Sequence, residues 1–152
     1  MRTSASAALI AVALLGGGCG YGDDDESSDA DNGSSPTSWS GPPKPDENGM
    51  LAVDEYNEYA ESLPAEDRQP REMVLEFLQP REPYDITVNT RAGGATAVVL
   101  RDDLEDDSVK AERTQVELGL GSGGLWRLNS AQVMYQCHEG RGHQGFSPAL
   151  CL

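Results

Sequence analysis

The sequence has few cysteines, few histidines and few positive charges, and each shortage argues against a class of function. Three cysteines and two histidines in 152 residues leave little for a nucleophile or a histidine-rich metal centre. Neither a Gly-x-Ser-x-Gly motif nor a phosphate-binding loop is present. Lys and Arg number 11 against 26 Asp and Glu, so the summed field repels nucleic acid. We expect no nucleic-acid partner and no cofactor.

Apolar runs are short as well. The run at residues 7–15 is nine residues long, whereas a helix that spans a bilayer needs about 20. Arg2 precedes this run, and three glycines and Cys19 follow it. A positive charge, a short apolar run and small residues predict a signal peptide over residues 1–18.

The stretch LLGGGC, which ends at Cys19, resembles the lipobox of bacterial lipoproteins. The resemblance implies that Cys19 is acylated and becomes the new N terminus, which would anchor the protein in a membrane and face it outside the cytoplasm. Gly16 stands where the family usually has Leu, so ordinary cleavage and secretion remain the alternative. Gly20 follows the cysteine, as in lipoproteins sorted to the outer membrane. Anchoring in the cell membrane remains an alternative location.

Residues 20–47 carry eight acids, one Lys and almost no aliphatic side chains. Such a segment cannot bury enough apolar surface to fold. We therefore predict that residues 19–48 form the lipidated cysteine and a disordered acidic tether, and that residues 49–152 form one small domain. For Trp39, within the tether, we expect only a loose contact with that domain.

Two helices are predicted at the start of the domain, from apolar residues at helical spacing. The first ends at Pro64, and the second begins at Pro70, a residue suited to a first helical turn, and stops at Pro80. The expected buried positions are Ala52, Tyr56, Tyr59, Ala60 and Leu63 in the first helix, and Met73, Val74, Phe77 and Leu78 in the second.

Four strands are predicted after the helices, at residues 84–89, 95–100, 113–118 and 125–137, with glycine-rich turns inside the first and last pairs. In the last strand, Trp126 and Leu128 share one parity, whereas Ala131, Val133 and Tyr135 share the other. A bulge near Asn129 and Ser130 is needed to bury all five.

Two helices packed on a four-stranded antiparallel meander, with a disulfide-closed C-terminal loop, make an α+β fold. In pattern, helices first and then a meander whose last strand carries an aromatic residue, the domain resembles the NTF2-like and cystatin-like domains of small bacterial lipoproteins. The resemblance implies that sheet and helices enclose a pocket, without naming a ligand. A pocket lined by Tyr84, Val116 and Trp126 would favour a small molecule as the ligand.

The segment from Cys137 to Cys151 allows a metal site or a disulfide. With His138 and His143 the cysteines number four, the usual count for zinc. The histidines are five residues apart with glycines between them, which excludes the helical H-E-x-x-H arrangement. Outside the cytoplasm two cysteines more often pair, and Cys19 is taken by lipid, so we predict a disulfide and no metal. Phe146 is expected to pack back on the sheet.

Residues 102–107 place five carboxylates in six positions. They could hold a calcium ion, which prefers oxygen ligands, but the loop lacks glycine, and a hydrated connector is the favoured interpretation. We expect Asp107 and Ser108 to start a turn there.

The leading functional hypothesis is a membrane-anchored binding module outside the cytoplasm that takes an unknown protein or small molecule and is not an enzyme. The tip of the C-terminal loop, formed by Arg141, His143 and Gln144, is its candidate recognition site. The alternative is a hydrolase-type enzyme that uses His138 or His143 as general base, with Glu139 or a metal as partner.

Overall fold

The structure is a computed structural model that describes residues 38–152. Cys19, the predicted signal peptide and the first part of the predicted tether lie outside the described residues, so their roles stay predictions. Within residues 38–152, neither helix has the length and apolarity that crossing a bilayer requires.

One five-stranded antiparallel sheet and two helices make up the domain, which confirms the α+β class. The strand order is β1-β5-β4-β3-β2, and each neighbouring pair is antiparallel. The strands are β1 Met50–Leu51, β2 Asp85–Arg91, β3 Gly94–Arg101, β4 Val109–Leu120 and β5 Trp126–Cys137.

The prediction of four strands was wrong by one. The additional strand, β1, pairs Met50 with Gln132 and Leu51 with Ala131, and it precedes the helices, so the helices are not the first elements of the fold. Two residues are too few to show the alternation by which a strand is recognised. The strand exists because the outer edge of β5 is available to pair with it.

The helices follow the predicted pattern. Helix α1 spans Asp54–Glu61 and α2 spans Pro70–Leu78, with a 3₁₀ turn at Ala65–Asp67 between them. α1 packs against β5 and α2 against β3. Ala52 differs from prediction, because it lies before the helix and is exposed. The predicted positions that the core buries are Tyr56, Tyr59, Ala60, Met73, Val74 and Phe77.

The bulge in β5 is confirmed. Leu118 of β4 pairs with Leu128, but Glu117 pairs with Ser130, so Asn129 is the extra residue. The helix side chain Asn57 fits the backbone beside the bulge: its Nδ2 donates to the Leu128 carbonyl at 2.8 Å. Its Oδ1 accepts from the Leu128 amide at 2.9 Å. A buried amide side chain thus replaces a neighbouring strand at a point that β1 does not reach.

The rest of the outer edge of β5 is covered by short segments. The amide of Val133 donates to the Gly49 carbonyl at 2.8 Å, and that of Cys137 to the His143 carbonyl at 3.1 Å. Between them Tyr135 and Ser147 bond through both backbone groups, at 2.7 and 3.0 Å. The C-terminal segment therefore pairs with the outer edge of β5 at its last residues, Tyr135 and Cys137.

Trp39, from the segment assigned to the tether, is partly buried against the core and makes more than a loose contact. Its indole stacks on Phe77 at 5.7 Å between ring centroids and meets Tyr56 edge-on at 5.2 Å. Its Nε1 donates to the Phe77 carbonyl at 3.0 Å. Residues beginning at Trp39 thus contribute to the packed body, since a buried indole usually needs both contacts and a hydrogen-bond acceptor.

Candidate functional site

The C-terminal loop is closed by a disulfide, as predicted. Cys137, at the end of β5, is bonded to Cys151, with 5.5 Å between the two Cα atoms. The two sulfurs and Nε2 of His143 lie within 4.8 Å of one another, but a disulfide leaves neither sulfur as a thiolate, the form that zinc binds. His138, the fourth residue of the zinc hypothesis, is not part of this cluster.

His143 holds the loop together. Its Nδ1 lies 2.8 Å from the Gly145 carbonyl oxygen, and its Nε2 lies 2.9 Å from that of Ala149. With both ring nitrogens directed at carbonyl oxygens, neither is placed to take a proton from a substrate. This geometry gives the enzyme hypothesis no support at His143.

The three residues of the predicted recognition tip differ in their hydrogen bonds and in their exposure. Gln144 directs its amide Nε2 at the carbonyls of His138 and Gly142, both at 3.3 Å, while His143 is turned inward as described. Arg141 is exposed, and its carbonyl accepts from the Leu152 amide at 2.8 Å. Recognition by this tip stays a prediction.

Phe146 packs on the sheet, as predicted, and it contacts Arg113 of β4. The Arg113 guanidinium carbon lies 4.6 Å from the centroid of the Phe146 ring, a distance at which a cation and an aromatic face attract. The loop is thus fastened to the sheet by a ring contact, by the backbone bonds of Ser147 and by the disulfide.

The acidic connector between β3 and β4 turns at Asp106, not at Asp107 as predicted. Asp106 Oδ1 accepts from the amides of Ser108 and Val109, both at 2.8 Å. The amides of Val109 and Ser108 hold the pKa of this carboxyl below its ordinary value, because they stabilise the charged form. Asp106 is therefore structural, and Asp102 also accepts a backbone hydrogen bond, from the Asp103 amide at 2.9 Å.

A groove of about 270 Å³ lies at one end of the sheet. Its floor is formed by side chains of β3, β4 and β5, with Leu51 of β1. Its walls are a proline-rich segment at residues 42–45 and the end of α2 with the residues after it. The floor residues are Leu51, Val99, Arg101, Glu112, Thr114, Val133 and Tyr135; the wall residues are Pro42, Pro43, Pro45, Leu78, Gln79, Pro80 and Arg81.

The groove depends on how the chain is steered into β1. Asp46 Oδ1 accepts from the amides of Asn48 and Met50, both at 2.8 Å, which bends the chain after the prolines. Gly49 has φ +75°, and a Cβ there would collide with the Val133 carbonyl oxygen. The proline wall is thus fixed to β5 by a turn that only glycine fits.

An ion pair lies across the floor. The register places Arg101 of β3 opposite Glu112 of β4, with 3.6 Å between Nη1 and Oε1 and with 25% and 28% of the side chains exposed. That distance is long for a hydrogen bond, and Nε of Arg101 is buried without a partner among the described residues. The pair keeps unused hydrogen-bonding capacity on both side chains.

Tyr135 stands beside this pair. Burial, and next the negative charge of Glu112, raise the pKa of its phenol above the ordinary value. The hydroxyl therefore stays protonated at neutral pH and can donate a hydrogen bond within the groove.

The groove continues into an acidic cavity of about 820 Å³, which shares Arg81, Arg101, Glu112 and Tyr135 with it. The additional carboxylates come from the β3–β4 connector and from the residue before Pro83. They are Glu82, Asp102, Asp103, Glu105 and Asp106. The combined surface is apolar near the prolines and strongly negative at its other end.

Tyr84, Val116 and Trp126 line neither the groove nor the acidic cavity. Val116 is completely buried in the core, and the other two are partly buried against the core. The concave surface instead uses residues nearer the end of the sheet, where no helix covers them.

Comparisons of the chain with protein-family models, with curated proteins and with solved structures give no match. The function must therefore be inferred from the chain's own residues.

Proposed function

We propose that the protein is a lipid-anchored binding module outside the cytoplasm, and that its groove takes a small organic cation with an apolar body. The anchor is proposed from the lipobox-like sequence at Cys19. The ligand class is proposed from the groove, and one observation carries it: a cleft with proline, leucine and valine side chains along one part opens directly into a cavity lined by six carboxylates and two arginines.

The apolar end offers rigid contact surface. Proline side chains lose no rotamer freedom when a ligand covers them, so contact with them costs little entropy. Leu78, Val99 and Val133 complete this end. Burial of a ring of about 100 Å² here contributes about 2.5 kcal/mol before the costs of binding are counted.

The negative end of the cavity favours a positively charged ligand. Carboxylates that line a cavity with low-dielectric walls concentrate their field and raise the local concentration of cations. Glu112 is the carboxylate nearest the apolar part, because it lines both cavities. Its bond to Arg101 is long, so an ammonium group can replace that contact at little cost.

The hydrolase alternative has less support. His143 is used to hold its loop. His138 lies beside the end of the connector, where its backbone amide donates to the Ser108 carbonyl at 2.9 Å. No described hydrogen bond joins either ring to a carboxylate or to a hydroxyl nucleophile, which is the arrangement that base-assisted attack requires.

The test compares three probes that share one ring. Phenethylamine is a cation, 2-phenylethanol is neutral and phenylacetate is an anion, and binding of each to the full chain is measured by calorimetry at low and high salt. We expect saturable binding of the amine alone, weaker at high salt because exposed charges are screened beyond about 10 Å at 0.1 M.

The matched variants are Glu112→Gln and, as a control of equal charge change in an exposed loop, Glu139→Gln. Loss of one charge-assisted hydrogen bond should weaken amine binding by about tenfold in the first, and leave it unchanged in the second. Equal binding of phenylacetate, or equal affinity of both variants, would contradict the proposal.

A further inference from the structure

A second cavity lies at the opposite end of the β4–β5 hairpin and shares no residue with the groove. It has a volume of about 370 Å³ and is formed by the end of α1, the segment after the 3₁₀ turn and the turn between β4 and β5. Its lining is Glu61, Arg68, Gly121, Ser122, Leu125 and Arg127.

Arg68 is the unusual member of this lining. Only 5% of it is exposed, and its Nη2 donates to the Trp126 carbonyl at 3.2 Å. Its Nε–H is buried and has no acceptor among the described residues. Within residues 38–152, no carboxylate oxygen lies within 4.0 Å of its guanidinium.

A buried guanidinium without a counter-charge is unfavourable. Charged groups removed from water are generally paired, because the loss of hydration is several kcal/mol per ion in real proteins. One neutral carbonyl is a partial replacement, since a guanidinium has five N–H groups to satisfy. The residues from 38 to 152 therefore leave Arg68 without an anionic partner.

Arg127 provides a second guanidinium at the rim. A Cβ on Gly121 would come within 3.0 Å of Arg127 Cδ, so the arginine stem lies against the turn and glycine leaves the space for it. Its Nη1 is 3.7 Å from Glu61 Oε1, with 47% and 59% of the side chains exposed. Exposed pairs of this kind contribute at most about 1 kcal/mol, so Glu61 is easily displaced.

We infer that this cavity binds an oxyanion, the carboxylate or phosphate group of a small molecule, between Arg68 and Arg127. A guanidinium presents two parallel N–H groups that match the two oxygens of such an anion. The anion supplies the negative charge that the buried Arg68 guanidinium lacks at the cavity wall, and it takes over Arg127 from Glu61. The site is independent of the cation groove, so either can fail without the other.

Arg68 has a second role to be separated from this one. Its bond to the Trp126 carbonyl ties the segment between the helices to β5, and a substitution of Arg68 could unfold that segment. The decisive variants are therefore at the exposed residues Arg127 and Glu61, whose replacement leaves the buried contact of Arg68 in place.

The experiment is a titration of the full chain, labelled with ¹⁵N, with sodium phosphate and separately with sodium acetate at constant ionic strength. The signal followed is the Arg68 Nε–H resonance, with the amides of Ser122 and Gly123. We expect a saturable shift at Arg68 with one or both anions. Response to phosphate alone or to acetate alone identifies the headgroup, and no saturable shift with either overturns the inference.

The variants give opposite expected changes. Arg127→Gln removes a charge-assisted contact and should weaken binding by about tenfold. Glu61→Gln removes a competing carboxylate and should strengthen it by about threefold. Glu58→Gln, an exposed position on the same helix that does not line the cavity, is the charge-matched control and should change nothing. Equal effects of Glu61→Gln and Glu58→Gln overturn the inference, because they would reflect only net charge.

Discussion

Replacement of Asn57 by Ala tests the hydrogen bonds that support the bulge in β5. Asn57 is 3% exposed, and its amide makes two hydrogen bonds to the backbone of Leu128, at 2.8 and 2.9 Å. Alanine leaves one buried N–H and one buried C=O without partners. Each unsatisfied group costs about 1 to 3 kcal/mol, and the better helix propensity of Ala returns about 0.5 kcal/mol. The expected net loss is about 1.5 to 5.5 kcal/mol.

The measurement is urea unfolding, with the free energy taken by linear extrapolation and the slope expected to stay constant. Asn89→Ala, at an exposed position of β2, is the matched control and should change the free energy by less than about 0.5 kcal/mol. Asn57→Asp should be at least as destabilising as Asn57→Ala, because a carboxylate would then face the Leu128 carbonyl. A loss below about 1 kcal/mol for Asn57→Ala would refute the reasoning.

A second readout connects this position to the groove. Leu128 precedes the extra residue Asn129, and the bulge is what turns both Leu128 and Val133 toward the core. If the amide of Asn57 holds the bulge, Asn57→Ala should accelerate hydrogen exchange at Leu128 first, because local openings expose the least supported segment. Uniform acceleration along β5 would indicate that the bulge is stable without this side chain.

Two predictions concern the tyrosines and the cysteines. Burial and Glu76 raise the pKa of Tyr56 above 10.0, and the hydrogen bond to Glu76 raises that of Tyr59, so their contribution to stability is complete below about pH 10 and is lost as the pH rises further. Urea unfolding should show a smaller alkaline loss for Tyr56→Phe than for the wild type, and parallel losses would contradict this. Mass spectrometry of the unreduced protein from membranes should find acylated Cys19 and a Cys137–Cys151 linkage. An unmodified N terminus would remove the anchor, and alkylated Cys137 and Cys151 would remove the disulfide.

Features that depend on neighbouring residues were predictable. The change of parity within β5 required a bulge near Asn129, and the structure places the extra residue there. Pro70 at the first turn of α2 fixed the start of that helix. In these cases the signal is local, since side-chain direction in a strand alternates and proline restricts its own backbone.

Features whose cause lies far along the chain were not predictable in this way. Trp39 and Phe77 are 38 positions apart, and Asn57 and Leu128 are 71 apart. In the sequence, Trp39 is one aromatic residue in an acidic segment and Asn57 is a polar residue on a helix. Each is drawn into the packed body by a distant partner, and each provides a hydrogen bond that a distant backbone group needs.

The role of the acidic connector was also not predictable from the sequence. From the sequence, the carboxylates at residues 102–107 are best interpreted as hydrated, since adjacent acids in a strand connector usually are. The pairing of β3 with β4 sets Arg101 opposite Glu112, and this places the connector at the mouth of the groove. Asp106 is then used to hold the turn, while Asp102, Asp103 and Glu105 line the cavity. A carboxylate that serves solubility and one that attracts a ligand are chemically identical, and the adjoining apolar cleft is what makes the second role physically reasonable here.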